Sequence, residues 1–221
     1  MTLITDIQKK FQAYANAGIA AQQTEYMRFL FPYHGLKAPV RQGVQKPFLR
    51  KENLPPKSEF DALVRDLWEK PQREFQYFGL DLAIAFRKHY EKKDIALFEH
   101  MIVTKSWWDT VDMIASKVVG GYFLLYPEER VPYINKWIAS NNMWLQRTAI
   151  LFQLKYKEKT DTFLFSKVIH ALNGSDEFFI NKAIGWALRE FGKSNPAWVL
   201  DFVAKTSLDP LSHSEALKRL K

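Results

Sequence analysis

The 221-residue chain contains no cysteine, which excludes a disulfide framework, a thiol nucleophile and a cysteine metal site. Its five histidines, His34, His89, His100, His170 and His213, are scattered without ligand spacing, so no metal and no cofactor are expected. No apolar run approaches the roughly 20 residues of a membrane span. The first ten residues are polar and amphipathic and lack the apolar core of a signal peptide, so no membrane contact and a cytoplasmic protein are expected. Glycine is scarce, at 9 residues, while 47% of the chain is hydrophobic and 15% aromatic, which argues against disorder and for a helix-rich globule. No stretch alternates polar and apolar residues as a half-buried strand does.

Positive charge is abundant. Lys and Arg total 32 against 24 Asp and Glu, a net charge of +8 that makes nucleic acid or an anionic membrane surface the leading partner classes. Hydrophobic periodicity, with Pro and Gly as punctuation, predicts helices at 3–17 (stopped by Gly18), 20–31, 39–51, 59–70, 72–90, 94–103, 106–118, 120–126, 129–140, 142–157, 161–173, 176–192, 196–205 and 211–220. The first two form an opening pair over residues 1–35, and about 36–221 reads as a tandem array within a single domain.

A repeat runs through that array. Tyr77, Asp112, Arg147 and Lys182 are spaced 35 residues apart, with Leu80, Ala115, Ile150 and Gly185 in a second register and Ala83, Val118, Gln153 and Leu188 in a third. Two helices per unit at this period predict an all-α protein, a right-handed α-solenoid of HEAT-like repeats with a concave basic face. Equivalent inner-helix positions then sit about 8–10 Å apart, so Asp112, Arg147 and Lys182 share one surface.

Within the array, Ser106 and Asp109 have the spacing of a capping box, which puts Trp107 and Trp108 in a first helical turn. Trp107, Val111, Ile114, Ala115 and Val118 supply the buried stripe. Trp108 projects among polar residues, with Asp112 one turn beyond it. On 176–192 the apolar face is Phe179, Ile180, Ala183, Ile184, Ala187 and Phe191; the opposite stripe holds Lys182, Gly185, Trp186, Arg189 and Lys193. Gly185 costs helix stability, about 1 kcal/mol relative to Ala, and marks a close approach to the backbone. Arg147, Lys155, Lys182, Arg189 and Lys193 suit phosphates, Trp108 and Trp186 suit sugar and base faces, and Asp112 is the one carboxylate placed among them. Plainer readings stand beside these. Trp107, Trp137 and Trp144 are core anchors on their own evidence, Asp112 serves equally as an ion-pair partner for Arg147, and Arg189 and Lys193 equally as a solvated face.

Three stretches resemble the bacterial AlkD family of DNA alkylation repair glycosylases: Ile102 to Asp112, Lys136 to Arg147 around Trp137 and Trp144, and Phe178 to Glu190 around Trp186. The likeness runs from about Ile7 to the C-terminus. Thr110 stands where the family pattern has Ser, and the chain ends soon after Ala216; neither touches catalysis. The resemblance implies that Trp108, Asp112 and Trp186 form the active site, that Arg147 holds the DNA backbone near the lesion, and that Tyr26 contributes from the opening helices. It implies hydrolysis of the N-glycosidic bond of cationic alkylated purines, chiefly 3-methyladenine and 7-methylguanine, in base excision repair. The partner is then duplex DNA carrying alkylated bases or abasic sites, met by a monomer associated with the nucleoid. No pocket, plug or wedge is evident in the sequence, which fits an enzyme that works without enclosing a flipped base. Two alternatives remain: a non-catalytic repeat protein that binds branched or distorted DNA, and a scaffold for an acidic peptide.

Overall fold

The computed structural model describes residues 3–218. Every regular element among them is helical, and the chain divides into two compact units, Met1–Leu97 and Phe98–Lys221. The first unit contains α1 (Leu3–Ala13), α2 (Ala17–Tyr26), α3 (Ala38–Gln45), α4 (Phe60–Glu69) and α5 (Arg73–Ala85); α6 (Asp94–Val103) carries the boundary within it. Gly18 does not stop the first helix as expected. Asn16 caps α2 by accepting the Ile19 N–H at 3.0 Å, so Gly18 lies inside the second helix. The loop between α2 and α3 is tied down by Glu74 of α5. This fully buried carboxylate accepts the backbone N–H groups of His34, Gly35 and Leu36 at 3.0, 3.0 and 3.2 Å, which satisfies a charge that could not otherwise be buried.

The second unit is a helical-repeat stack. It comprises α7 (Trp108–Met113), a π-helical turn (Ile114–Val119), α8 (Gly120–Leu125), α9 (Pro127–Ile138), α10 (Met143–Leu151), α11 (Thr162–Leu172), α12 (Phe178–Phe191), α13 (Pro196–Lys205) and α14 (Pro210–Leu217). α10 packs on α7 and the π turn, α12 on α10, and α14 on α12; α9, α11 and α13 form the accompanying row. The fold is all-α, a helical-repeat solenoid. Side-chain ties between successive repeats keep the sequence period: Arg147 to Asp112 and Lys155 to Glu190 at a separation of 35 residues, and Tyr156 to Gly120 at 36. Gly120 separates two expected helices in the sequence, yet here α7, the π turn and α8 run on continuously. Its missing side chain instead admits the Phe152 carbonyl, which a Cβ would meet at 2.5 Å.

The capping box expected at Ser106 does not form. The helix begins at Trp108, with Trp107 as an N-cap that makes no side-chain cap bond. Lys105 adopts a left-handed φ of 49°, and the Ser106 hydroxyl turns back to donate to the Ile102 carbonyl at the end of α6, at 2.6 Å. A serine hydroxyl next to a preceding helix C-terminus has orphan carbonyls in reach, and there they win over the orphan N–H groups ahead.

Candidate functional site

α7, α10 and α12 bring one carboxylate, one guanidinium and a group of aromatic rings together. Arg147, on α10, is 4% exposed and donates from Nε and Nη2 to the two oxygens of Asp112 at 2.7 and 2.9 Å. Its Nη1 donates to the Phe179 carbonyl in the first turn of α12. The three helices are thus joined through a single side chain. Trp107, Trp144 and Phe179 pack beside it, with ring centroids 5.2 to 5.7 Å apart, and the guanidinium lies 5.7 Å over the Phe179 ring. Trp107 and Trp144 are only half-buried, so neither is the full core anchor that its spacing suggests; Trp137 is buried completely, and its indole N–H donates to Glu99 at 2.6 Å.

Asp112 keeps 15% of its side chain exposed. Burial pushes its carboxyl above the ordinary aspartate value; the hydrogen bonds and charge of Arg147 pull it back, and Asp109 adds a smaller push upward. Its backbone carbonyl accepts the Ser116 hydroxyl at 2.7 Å, within the π turn. A π turn widens the helix and breaks its regular ladder, and such turns are frequent at functional sites. Trp108 sits one turn before Asp112 on the same helix and is half-buried, and Trp186 on α12 is half-buried as well. Tyr26 belongs to the other unit, where it ends α2 with 72% of its surface exposed.

The expected phosphate contacts look different in three dimensions. Arg147 turns inward: three of its N–H groups are used within the protein. Asp112 is not alone among the cations either. Glu190 accepts from Lys155 at 3.0 Å and also from Lys193. Glu215 of α14 accepts from Lys182 at 2.9 Å, from Arg189, and from Lys218 at 3.3 Å. These contacts hold the Glu215 carboxyl at about 2, the Lys182 hydrogen bond contributing most. Lysines and arginine still outnumber carboxylates in both clusters, so the stripe remains positive. The close approach marked by Gly185 is made by α14: a Cβ there would meet the Glu215 Cβ at 2.5 Å and the Ser212 carbonyl at 2.7 Å.

The sequence model of the DNA alkylation repair enzyme family matches residues 7–220. The chain belongs to that family. A solved structure described as a predicted DNA alkylation repair enzyme from Enterococcus faecalis is 33% identical, with a TM-score of 0.87 over 93% of this chain and 96% of the other. No curated protein matches. A cavity of about 140 Å³ lies further along the stack, between Ile150, Phe165 and Phe191 with Lys155 and Lys193 at its edge, and neither Trp108, Asp112 nor Trp186 lines it. Among the described residues no group of three His, Asp or Glu could hold a metal, and no helix is long and apolar enough to cross a membrane.

Glu190, Glu215 and the Phe179 carbonyl are the site groups that the sequence reading missed. The repeat itself held the signal for the first, since Glu190 follows Lys155 at 35 residues. Glu215 follows Lys182 at 33. The carbonyl carries no sequence signal, because every residue has one.

Proposed function

We propose that this DNA alkylation repair enzyme is a glycosylase that hydrolyses the N-glycosidic bond of cationic alkylated purines, 3-methyladenine and 7-methylguanine, in duplex DNA. The observation that carries this reading is a partly exposed carboxylate clamped by one buried guanidinium, one helical turn beyond a half-buried tryptophan. An alkylated purine already bears a positive charge, so it leaves as a neutral base without being protonated. The C1′–N bond breaks with its electrons going to the base, and the deoxyribose left behind becomes cationic. Asp112 stabilises that cation electrostatically and orients the attacking water, whose oxygen bonds to C1′ while its proton passes to bulk water. The faces of Trp108 and Trp186 flank the sugar and contribute cation–π stabilisation, about 1–2 kcal/mol each where desolvated.

Arg147 acts on this scheme as a positioning residue. Bidentate pairing fixes the carboxylate plane, and the bond to the Phe179 carbonyl fixes the guanidinium. Lys155, Lys182, Arg189 and Lys193 meet phosphates by exchanging part of their bonding to Glu190 and Glu215, and Tyr26 adds a contact from the first unit. The protein works as a monomer, in the cytoplasm at the nucleoid, in base excision repair, and without enclosing a flipped base. Selectivity then comes from the lability of the charged lesion.

The test is to compare release of 7-methylguanine and of uracil from matched duplexes. Release of the first and not the second supports the reading; comparable release of uracil contradicts it. A non-catalytic binder of distorted DNA, the second reading, has no use for a carboxylate whose ionised form is held so specifically, and it predicts release of neither base.

A further inference from the structure

Between α1 and α3, wholly within the first unit, runs an open groove of about 520 Å³. Tyr14 lines it from α1; Val40 and Val44 line it from α3, and Phe48 from the short 3₁₀ turn that follows (Lys46–Leu49). Tyr14 is 57% exposed and Val40 43%, so the fold leaves these side chains in water instead of packing them together. Single exposed apolar residues are ordinary, but several gathered in one concavity mark a place where something docks. Gly43 lines the same groove from inside α3. A glycine within a helix costs stability relative to alanine. At Gly120 and Gly185 a Cβ would strike neighbouring backbone, which explains those two; at Gly43 a Cβ would meet nothing within 4 Å, and no left-handed φ calls for glycine there. Among the described residues, then, no packing contact requires it. What its missing side chain supplies is depth in the groove.

The charge along this groove has one sign. Residues 37–51 carry Lys37, Arg41, Lys46, Arg50 and Lys51 and no carboxylate. Arg41 turns away to Asp81 of α5, at 3.2 Å. The other four are exposed and flank the lining residues along the chain, and Lys10 stands exposed at the groove itself. Among the described residues none of these five forms an ion pair. An apolar channel beside unpaired cations selects its occupant. A phosphate backbone satisfies the cations and has nothing to fill the channel, while a purely apolar segment fills the channel and leaves the cations unanswered. A peptide with carboxylates around large apolar side chains does both.

We propose that the α1–α3 groove docks a short acidic segment of a partner protein, with one or two large apolar side chains seated over Gly43 and its carboxylates facing Lys10, Lys46 and Arg50. This goes beyond the glycosylase reading and does not rest on it, because no residue of the groove belongs to the Asp112 site.

The experiment probes the full chain with an array of synthetic dodecapeptides of Asp and Glu in which one Phe and one Leu are moved through every spacing. The tightest peptide is then followed in solution by fluorescence anisotropy. Binding is expected to depend on the apolar spacing, and to weaken at least about tenfold when Phe and Leu are both replaced by Ser or when salt is raised to about 0.5 M. Gly43→Leu fills the groove while improving helix propensity, so it is expected to melt at or above the wild-type temperature and to bind the peptide at least about tenfold more weakly. Lys10→Glu, on an exposed residue, is expected to slow association. A short DNA duplex is expected to bind the wild type and Gly43→Leu equally. Binding that is absent at every spacing overturns the proposal, and so does equal peptide affinity for the wild type and Gly43→Leu. Duplex affinity that falls in Gly43→Leu while peptide affinity does not also overturns it, and assigns the groove to nucleic acid. A wild-type dimer in sedimentation that Gly43→Leu disrupts, with no peptide bound, assigns it to a second copy of the chain.

Discussion

Arg147 reaches back 35 residues to meet both oxygens of Asp112, while its third contact goes forward to the Phe179 carbonyl. Three successive inner helices therefore share one side chain, and the repeat period that organises the fold also delivers the pair. A carboxylate largely withdrawn from water rises in pKa, and this pairing is what restrains the rise.

Removing the restraint sets the direction of a pH effect. In Arg147→Met the carboxyl of Asp112 loses the partner that lowers its pKa, so its pKa climbs further and the ionised fraction at a given pH falls. The acid limb of the single-turnover rate profile is expected to move to higher pH, and the plateau rate to drop by about 100-fold through lost positioning. A merely structural role for Arg147 leaves the pH at which the limb falls unchanged.

Glu215 predicts a stability effect of the opposite sign. Its folded value of about 2 lies below the ordinary 4.5, so its contribution is fully present above about pH 4.5 and is lost as pH falls toward 2. After discounting for the exposure of Lys182 and Lys218, Glu215→Gln is expected to cost about 1–2 kcal/mol at pH 7, a difference that shrinks toward zero near pH 2. Urea unfolding of both proteins across pH 2–7 measures it.

Gly185→Ala separates helix propensity from packing. Propensity alone favours Ala by about 1 kcal/mol. The new Cβ, however, would sit 2.5 Å from the Glu215 Cβ and 2.7 Å from the Ser212 carbonyl oxygen, and that oxygen is backbone that cannot move away cheaply. Overpacking wins, with an expected net loss of about 1–3 kcal/mol in denaturant unfolding. A stabilised Gly185→Ala would mean that α14 does not pack there.

Most of the all-helical repeat was legible in the sequence, because each unit buries the same face and so repeats the same registers; Asp112, Arg147 and Lys182 could be aligned by counting. The error at Ser106 arose because a capping motif and a hydroxyl that bonds backward use the same residue, and only the position of α6 decides between them. Glycine was ambiguous for a related reason. Gly18 has the look of a helix stop, but Asn16 makes it part of α2; Gly185 marks a close approach, and only the docking of α14 says what approaches. The basic stripe was read as open because α14, which lies over part of it, comes from a segment whose sequence carries no sign of where it docks.

The central claim is that Asp112 acts on a cationic transition state, and the most direct measurement is single-turnover release of 7-methylguanine from a defined duplex by the wild type and by Asp112→Asn, with binding to an abasic-site duplex followed in parallel. Release is expected to fall by about 100-fold or more in Asp112→Asn, with binding within a few-fold of the wild type. Wild-type release that survives the substitution unchanged, or firm binding with no release by either protein, contradicts it.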